Sequence, residues 1–134
     1  MSSRAVRTQI RTLLASPAVA ALCPFYETIN VEQNPTDATW FTVSFQFSYS
    51  EKLTMCDQFA EYGEVELVFE GLPGVGDDTV LQAAEGVTAE LEKFRDSTGK
   101  LALTNFSAPD EFSEGGADSA AYRVAVTIEY VFNR

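Results

Sequence analysis

The chain contains no histidine. That absence removes Ser-His-Asp and Cys-His nucleophile systems as usually built, and most zinc sites with them. Cysteine is scarce too: Cys23 and Cys56 are the only two, and they form no CxxC pair. Neither a disulfide framework nor a metal knuckle is encoded, and both are expected to be small buried thiols. No apolar run approaches the ~20 residues of a membrane-spanning helix. Arg4, Arg7 and Arg11 interrupt the stretch where a signal peptide would carry its apolar segment, which predicts a soluble protein that stays in the cytoplasm where it is made. Basic residues are few, nine against 20 acidic ones in 134, for a net charge of −11. A body this acidic repels phosphate and argues against gripping nucleic acid. It does not exclude a surface past which DNA slides.

What is present is a core. Hydrophobic residues make up 46% of the chain, too many for a disordered acidic segment. The length suits a single domain spanning residues 1–134. "SSRAVRTQIRTLLAS" predicts a helix capped by Ser2 or Ser3, with Val6, Ile10, Leu13 and Leu14 on one stripe and Arg4, Arg7 and Arg11 on another beside it. In "SPAVAALCP", Ser16 and Pro17 suit the start of a short second helix that ends before Pro24. A short strand around Thr28–Val31 and a turn at Asn34–Asp37 come next.

Period-two alternation marks three clear strands. In "WFTVSFQFSYS", Phe41, Val43, Phe45, Phe47 and Tyr49 share a face. "EKLTMCDQFAEY" has no clean period and reads as a long connection or a hairpin extension. In "GEVELVFEG", Val65, Leu67 and Phe69 point inward while Glu64, Glu66 and Glu70 point outward. "YRVAVTIEYVFNR" alternates almost without a break, with Tyr122, Val124, Val126, Ile128, Tyr130 and Phe132 on one side. Between these, "TVLQAAEGVTAELEKF" is an amphipathic helix with Val80, Ala84, Val87, Leu91 and Phe94 inward and a capping box from Thr79 to Gln82. Its Gly86 costs about 1 kcal/mol against alanine, which close helix–sheet packing would explain. "GKLALTNFS" is a shorter strand and "APDEFSEGGADSA" a polar loop. The order predicts an α+β domain: a mostly antiparallel or mixed five-stranded sheet with helices packed on one face.

Little in this layout is catalytic. "GLPGVGDD" has the wrong glycine spacing for a dinucleotide loop and lacks the lysine of a phosphate loop. Paired carboxylates, Asp77/Asp78 and Asp110/Glu111, are the remaining option for acid–base work or a divalent cation. The first pair already suits a helix start, and the second sits among other loop acids. The expectation is therefore no catalytic residue, no metal site, no cofactor and no enzyme. Trp40, the only tryptophan, either fills a core edge or anchors an interface. Charge is unevenly placed: residues 1–15 hold three arginines and no acid, leaving six basic and all 20 acidic residues for the rest. Such a split could draw subunits together head to side, and the bottom-up expectation is an assembly domain.

At this point the chain resembles the tail terminator, or tail completion, proteins of long-tailed bacteriophages. The likeness runs over about residues 4–132. It is carried by "RTLLAS", then "ETINVEQNPTDATWFTVSF", then "YGEVELVFEGLPGVGDDTVLQAAEGVTAELEKF", and finally the polar loop with "AYRVAVTIEYVFNR". The "EKLTMCDQFAEY" connection has no counterpart in the pattern. The resemblance implies a virion structural protein that forms a ring, usually a hexamer, on the last ring of the tail tube. Such a ring stops tube growth and offers the joining surface for the head–tail connector. Its implied partners are itself, the tail tube protein and the connector protein. DNA passes through without specific binding, and no membrane is involved. Its implied place is the head-proximal end of the virion tail, after assembly in the cytoplasm of the bacterial host. On that footing Arg4, Arg7, Arg11 and Trp40 are candidate subunit-interface residues. Glu64, Glu66, Glu70, Asp110, Glu111 and Glu114 are candidate lumen-facing residues, since a negative lumen keeps DNA from sticking. The competing expectations are another tail-assembly or head-closure component, or a small carboxylate-based enzyme or ligand-binding domain.

Overall fold

The computed structural model describes residues 3–23, 39–52, 59–71, 78–96, 98–111 and 123–133. Along the chain these form α1 (Arg4–Leu14), α2 (Pro17–Ala20), β1 (Trp40–Lys52), β2 (Phe59–Glu70), α3 (Asp78–Glu92), β3 (Leu101–Phe106), β4 (Asp110–Glu111) and β5 (Arg123–Asn133). The strands build one five-stranded antiparallel sheet in the order β1-β2-β5-β3, with β4 following β3 along the same side of β5. The α+β expectation holds. The expected strand at Thr28–Val31 lies outside the described residues. The fifth strand is instead β4, two residues from the segment read as a polar loop.

β5 lies inside the sheet because its alternation lets one side go into the core. Val124, Val126, Ile128 and Tyr130 are buried there, beside Val65, Leu67 and Phe69 of β2 and Phe41 and Val43 of β1. Phe41 and Phe69 stack with ring centroids 5.0 Å apart. The helices seal this face with Val6, Ile10 and Leu14 of α1, Val19 of α2, and Val80, Ala84, Val87 and Leu91 of α3. Leu13 and Phe94 are only partly buried against the same core. Burial of this apolar surface drives the assembly of the layers, at roughly 25 cal/mol per Å².

Two local readings change, and one that stood open between two alternatives is decided. First, β1 contains a bulge: Phe45 pairs with Val65, but Phe47 pairs with Glu64, so Gln46 is the extra residue. An extra residue reverses strand parity. Tyr49 therefore leaves the face of Phe41 and Val43, against expectation, and pairs with Tyr62. Second, where residues 51–62 read as a long connection or a hairpin extension, the described residues form the hairpin extension, with Lys52 paired to Phe59. Third, α3 starts one residue earlier than expected. Thr79 lies inside the helix, and Gln82 donates its side-chain amide to Asp78 Oδ2 at 3.2 Å, so the Thr79–Gln82 capping box does not form. Gly86 does not meet the sheet either; a β-carbon there would lie 3.7 Å from Leu22, just after α2.

The turn from α3 into β3 is organised by Asp96. Its carboxylate accepts from the Thr98 hydroxyl (2.7 Å) and from the backbone N–H groups of Thr98, Lys100 and Leu101 (3.1, 3.1 and 2.9 Å). The Thr98 hydroxyl first, then the Leu101 and Thr98 N–H groups, hold this carboxyl well below the usual range. Gly99 follows at φ +71°, a left-handed conformation that favours glycine.

Candidate functional site

The three arginines picked out by sequence and the acidic group Glu64, Glu66 and Glu70 lie on opposite sides of the sheet. α1 packs on the covered face. Ser3 caps it, its hydroxyl accepting from the Val6 N–H at 3.4 Å. Arg4 is exposed, while Arg7 and Arg11 are half-buried with their guanidinium carbons 4.9 and 5.4 Å from the Phe45 ring centroid. Cation–π attraction thus ties two of the three arginines to β1. Arg11 Nε is buried and makes no hydrogen bond among the described residues.

Under the start of α1 lies Glu61, a residue the sequence reading left inside the connection. It is a buried carboxylate, 2% exposed. Tyr130 donates its hydroxyl to Glu61 Oε2 at 2.8 Å, and the Ser3 N–H donates to Oε2 and Oε1 at 3.2 and 3.3 Å. A negative group at a helix N-terminus is stabilised by the helix dipole, and here it comes from a strand 58 residues away in sequence. The signal was present. Running the alternation of Val65, Leu67 and Phe69 backwards through Gly63 reaches Glu61 on the same face.

The open face of the sheet carries Glu64, Glu66 and Glu70, all half-buried. Their outward direction was read correctly, but their surroundings differ. Glu70 pairs with Arg123 at 3.4 Å and sits in register with Trp40. Trp40 is 7% exposed, so the single chain already buries most of it at the sheet edge. Glu66 lies opposite Thr127. Glu64 lies directly opposite Glu129, whose Oε2 accepts from the Asn105 side-chain amide at 2.7 Å. Beside this acidic pair the bulge brings Tyr49 onto Tyr62, with ring centroids 5.2 Å apart and planes at 20°. Tyr49, Tyr62, Glu64, Glu129, Thr104 and Val131 help to line an open depression of about 260 Å³. Sequence reading missed Tyr62 and Glu129, and nothing in the alternation of β1 revealed the bulge that completes the group.

Asp110 and Glu111 form β4, in backbone register with Ala125 and Val124, rather than a loop. Glu114 lies outside the described residues, as does Cys56. Cys23 is buried, donates weakly to the Thr39 carbonyl at 3.7 Å, and has its thiol pushed up to about 12 by burial. A thiol so placed is inert. Among the described residues no group of three or more Cys, Asp and Glu side chains is arranged to hold a metal ion, and no helix is long and apolar enough to cross a membrane.

No protein-family model matches the chain, and no curated protein matches it. Among solved structures, a chain from the virion of a native gene transfer agent particle is similar, with a TM-score of 0.54 at 15% identity. The likeness covers 93% of this chain and 91% of that one. At that identity it establishes a shared fold.

Proposed function

We propose that this chain is a virion structural protein, and within that class a tail terminator. Copies form a ring, hexameric in this reading, that seats on the last ring of the tail tube, ends its growth and presents the joining surface for the head connector. DNA passes through without specific binding. No catalytic step or cofactor belongs to this reading. The observation that carries it is the near-complete fold likeness to a chain of a virion particle. It is supported by the order of sequence signals shared with tail terminators and by the separation of an arginine-bearing helix from an acidic sheet face. A contact between unlike patches closes into a ring when its rotation permits and otherwise continues as a filament.

The test is electron microscopy of tail tubes assembled with and without this protein, alongside its mass in solution. The expected result is tubes of arrested length, each bearing one added ring at an end. Incorporation along the whole tube would mark a tube protein instead. A persistent monomer that neither caps tubes nor joins them would remove the virion reading.

A further inference from the structure

Resting on the reading that copies of this chain associate, we propose that the open face of the sheet is a guanidinium-binding surface whose occupant is Arg4 of a second copy. The acids of that face are treated differently by the fold. At the end of β2 Glu70 has its cation in Arg123. Midway along it, Glu64 and Glu129 face each other on neighbouring strands, an arrangement that disfavours both. Glu129 has the Asn105 amide on one oxygen, and Glu64 has no charged partner among the described residues. Against this pair stand the stacked rings of Tyr49 and Tyr62, with Tyr49 51% exposed. Two carboxylates beside aromatic faces in an open depression of about 260 Å³ match arginine better than lysine. The planar fork can bond carboxylate oxygens in parallel while its flat face lies on a ring.

Among the described arginines, Arg134 lying outside them, one supplies such a group and cannot use it on its own chain. Arg7 and Arg11 are held over Phe45, Arg123 is on Glu70, and Arg95 donates to the backbone carbonyls of Glu92 and Phe94. Arg4 is exposed and has no partner among the described residues. It stands in the first turn of α1, where the helix dipole disfavours a cation. α1 packs on the covered face and the depression is on the open one, so the contact runs from one copy to the next. It joins unlike patches, the kind of contact a ring requires.

The experiment uses two variants of the full chain and sedimentation velocity at low and high salt. Arg4→Glu places an acid where the helix dipole favours it, so lost association does not reflect a weakened fold. Glu64→Lys/Glu129→Lys keeps a like-charged pair and reverses the sign of the depression. Each variant alone is expected to associate on the order of 30-fold more weakly than wild type. Mixed in equal amounts, they are expected to regain association, because every junction again joins opposite charges. Added salt should weaken the wild-type and the mixed assemblies alike. Three outcomes overturn the proposal: a wild type that stays monomeric, variants that associate as wild type does, or a mixture that recovers nothing. Tube capping by the same variants separates this from the functional reading. Capping that survives loss of this contact leaves the terminator role standing and removes only the interface.

Discussion

Removing Glu61 should loosen the first helix from the sheet. The carboxylate accepts a 2.8 Å bond from the buried Tyr130 hydroxyl, a charge-assisted bond of about 1.5–3 kcal/mol. It also faces the start of α1 through the Ser3 N–H, which adds about 0.3–1 kcal/mol and up to ~2 kcal/mol in a partly buried setting. Glu61→Ala removes this acceptor from the Tyr130 hydroxyl and leaves a small void, so the expected loss is about 3 kcal/mol. Glu61→Gln keeps an acceptor but not the charge and should cost about half of that. For a domain of this length each kcal/mol moves Tm by roughly 3–5 °C, so the alanine variant should melt ~10 °C lower. Urea unfolding of Glu61→Ala, Tyr130→Phe and the double variant gives the coupling directly, expected at about 1–2 kcal/mol. Amide exchange should show α1 losing protection while α3, packed elsewhere on the sheet, keeps it. A Glu61→Ala protein within ~0.5 kcal/mol of wild type, or additive single effects, would refute the account of Glu61 as the anchor of α1.

Other consequences are more local. Val126→Asp places an unpaired charge at a fully buried position of the central strand and should cost about 3–5 kcal/mol or prevent folding, as read by circular dichroism and urea titration. Gly86→Ala should raise stability by about 0.5–1 kcal/mol, since the added methyl meets only Leu22 at ordinary contact distance; a destabilised variant would show that the helix needs glycine there for another reason. Asp96 has a folded pKa below its unfolded value of about 3.9, so its contribution is present above that pH and is lost as pH falls below it. Thermal melts over roughly pH 2–5 should show a steeper acid loss for wild type than for Asp96→Asn, and parallel curves would contradict this.

Much of the layout was legible because it rests on period. The stripe of Val6, Ile10 and Leu14 and that of Val80, Ala84, Val87 and Leu91 are buried as their spacing requires. The alternation of β5 put Val124, Val126, Ile128 and Tyr130 inside. The outward glutamates of β2 were legible for the same reason, since Val65, Leu67 and Phe69 between them had to go inward. The helix start at Asp78 was less clear, because two acids and a threonine in succession can each begin a helix. The candidate surfaces were legible as charge but not as environment. No pattern told that Arg7 and Arg11 would lie over Phe45, or that Glu70 would have Arg123 while Glu64 would face Glu129.

By itself the sequence determined an acidic α+β domain with one apolar sheet face and a basic first helix, because spacing decides which side chains can be buried together and charge content is independent of shape. Tertiary structure alone decided that Gln46 forms a bulge, that Tyr49 consequently joins Tyr62 beside two glutamates, and that the start of α1 is what the inward-facing Glu61 meets. These depend on which strands become neighbours and in what register. One extra residue in one strand of a pair sends every later side chain to the other face, and no count of residues along a single strand reports where its partner will make room for it.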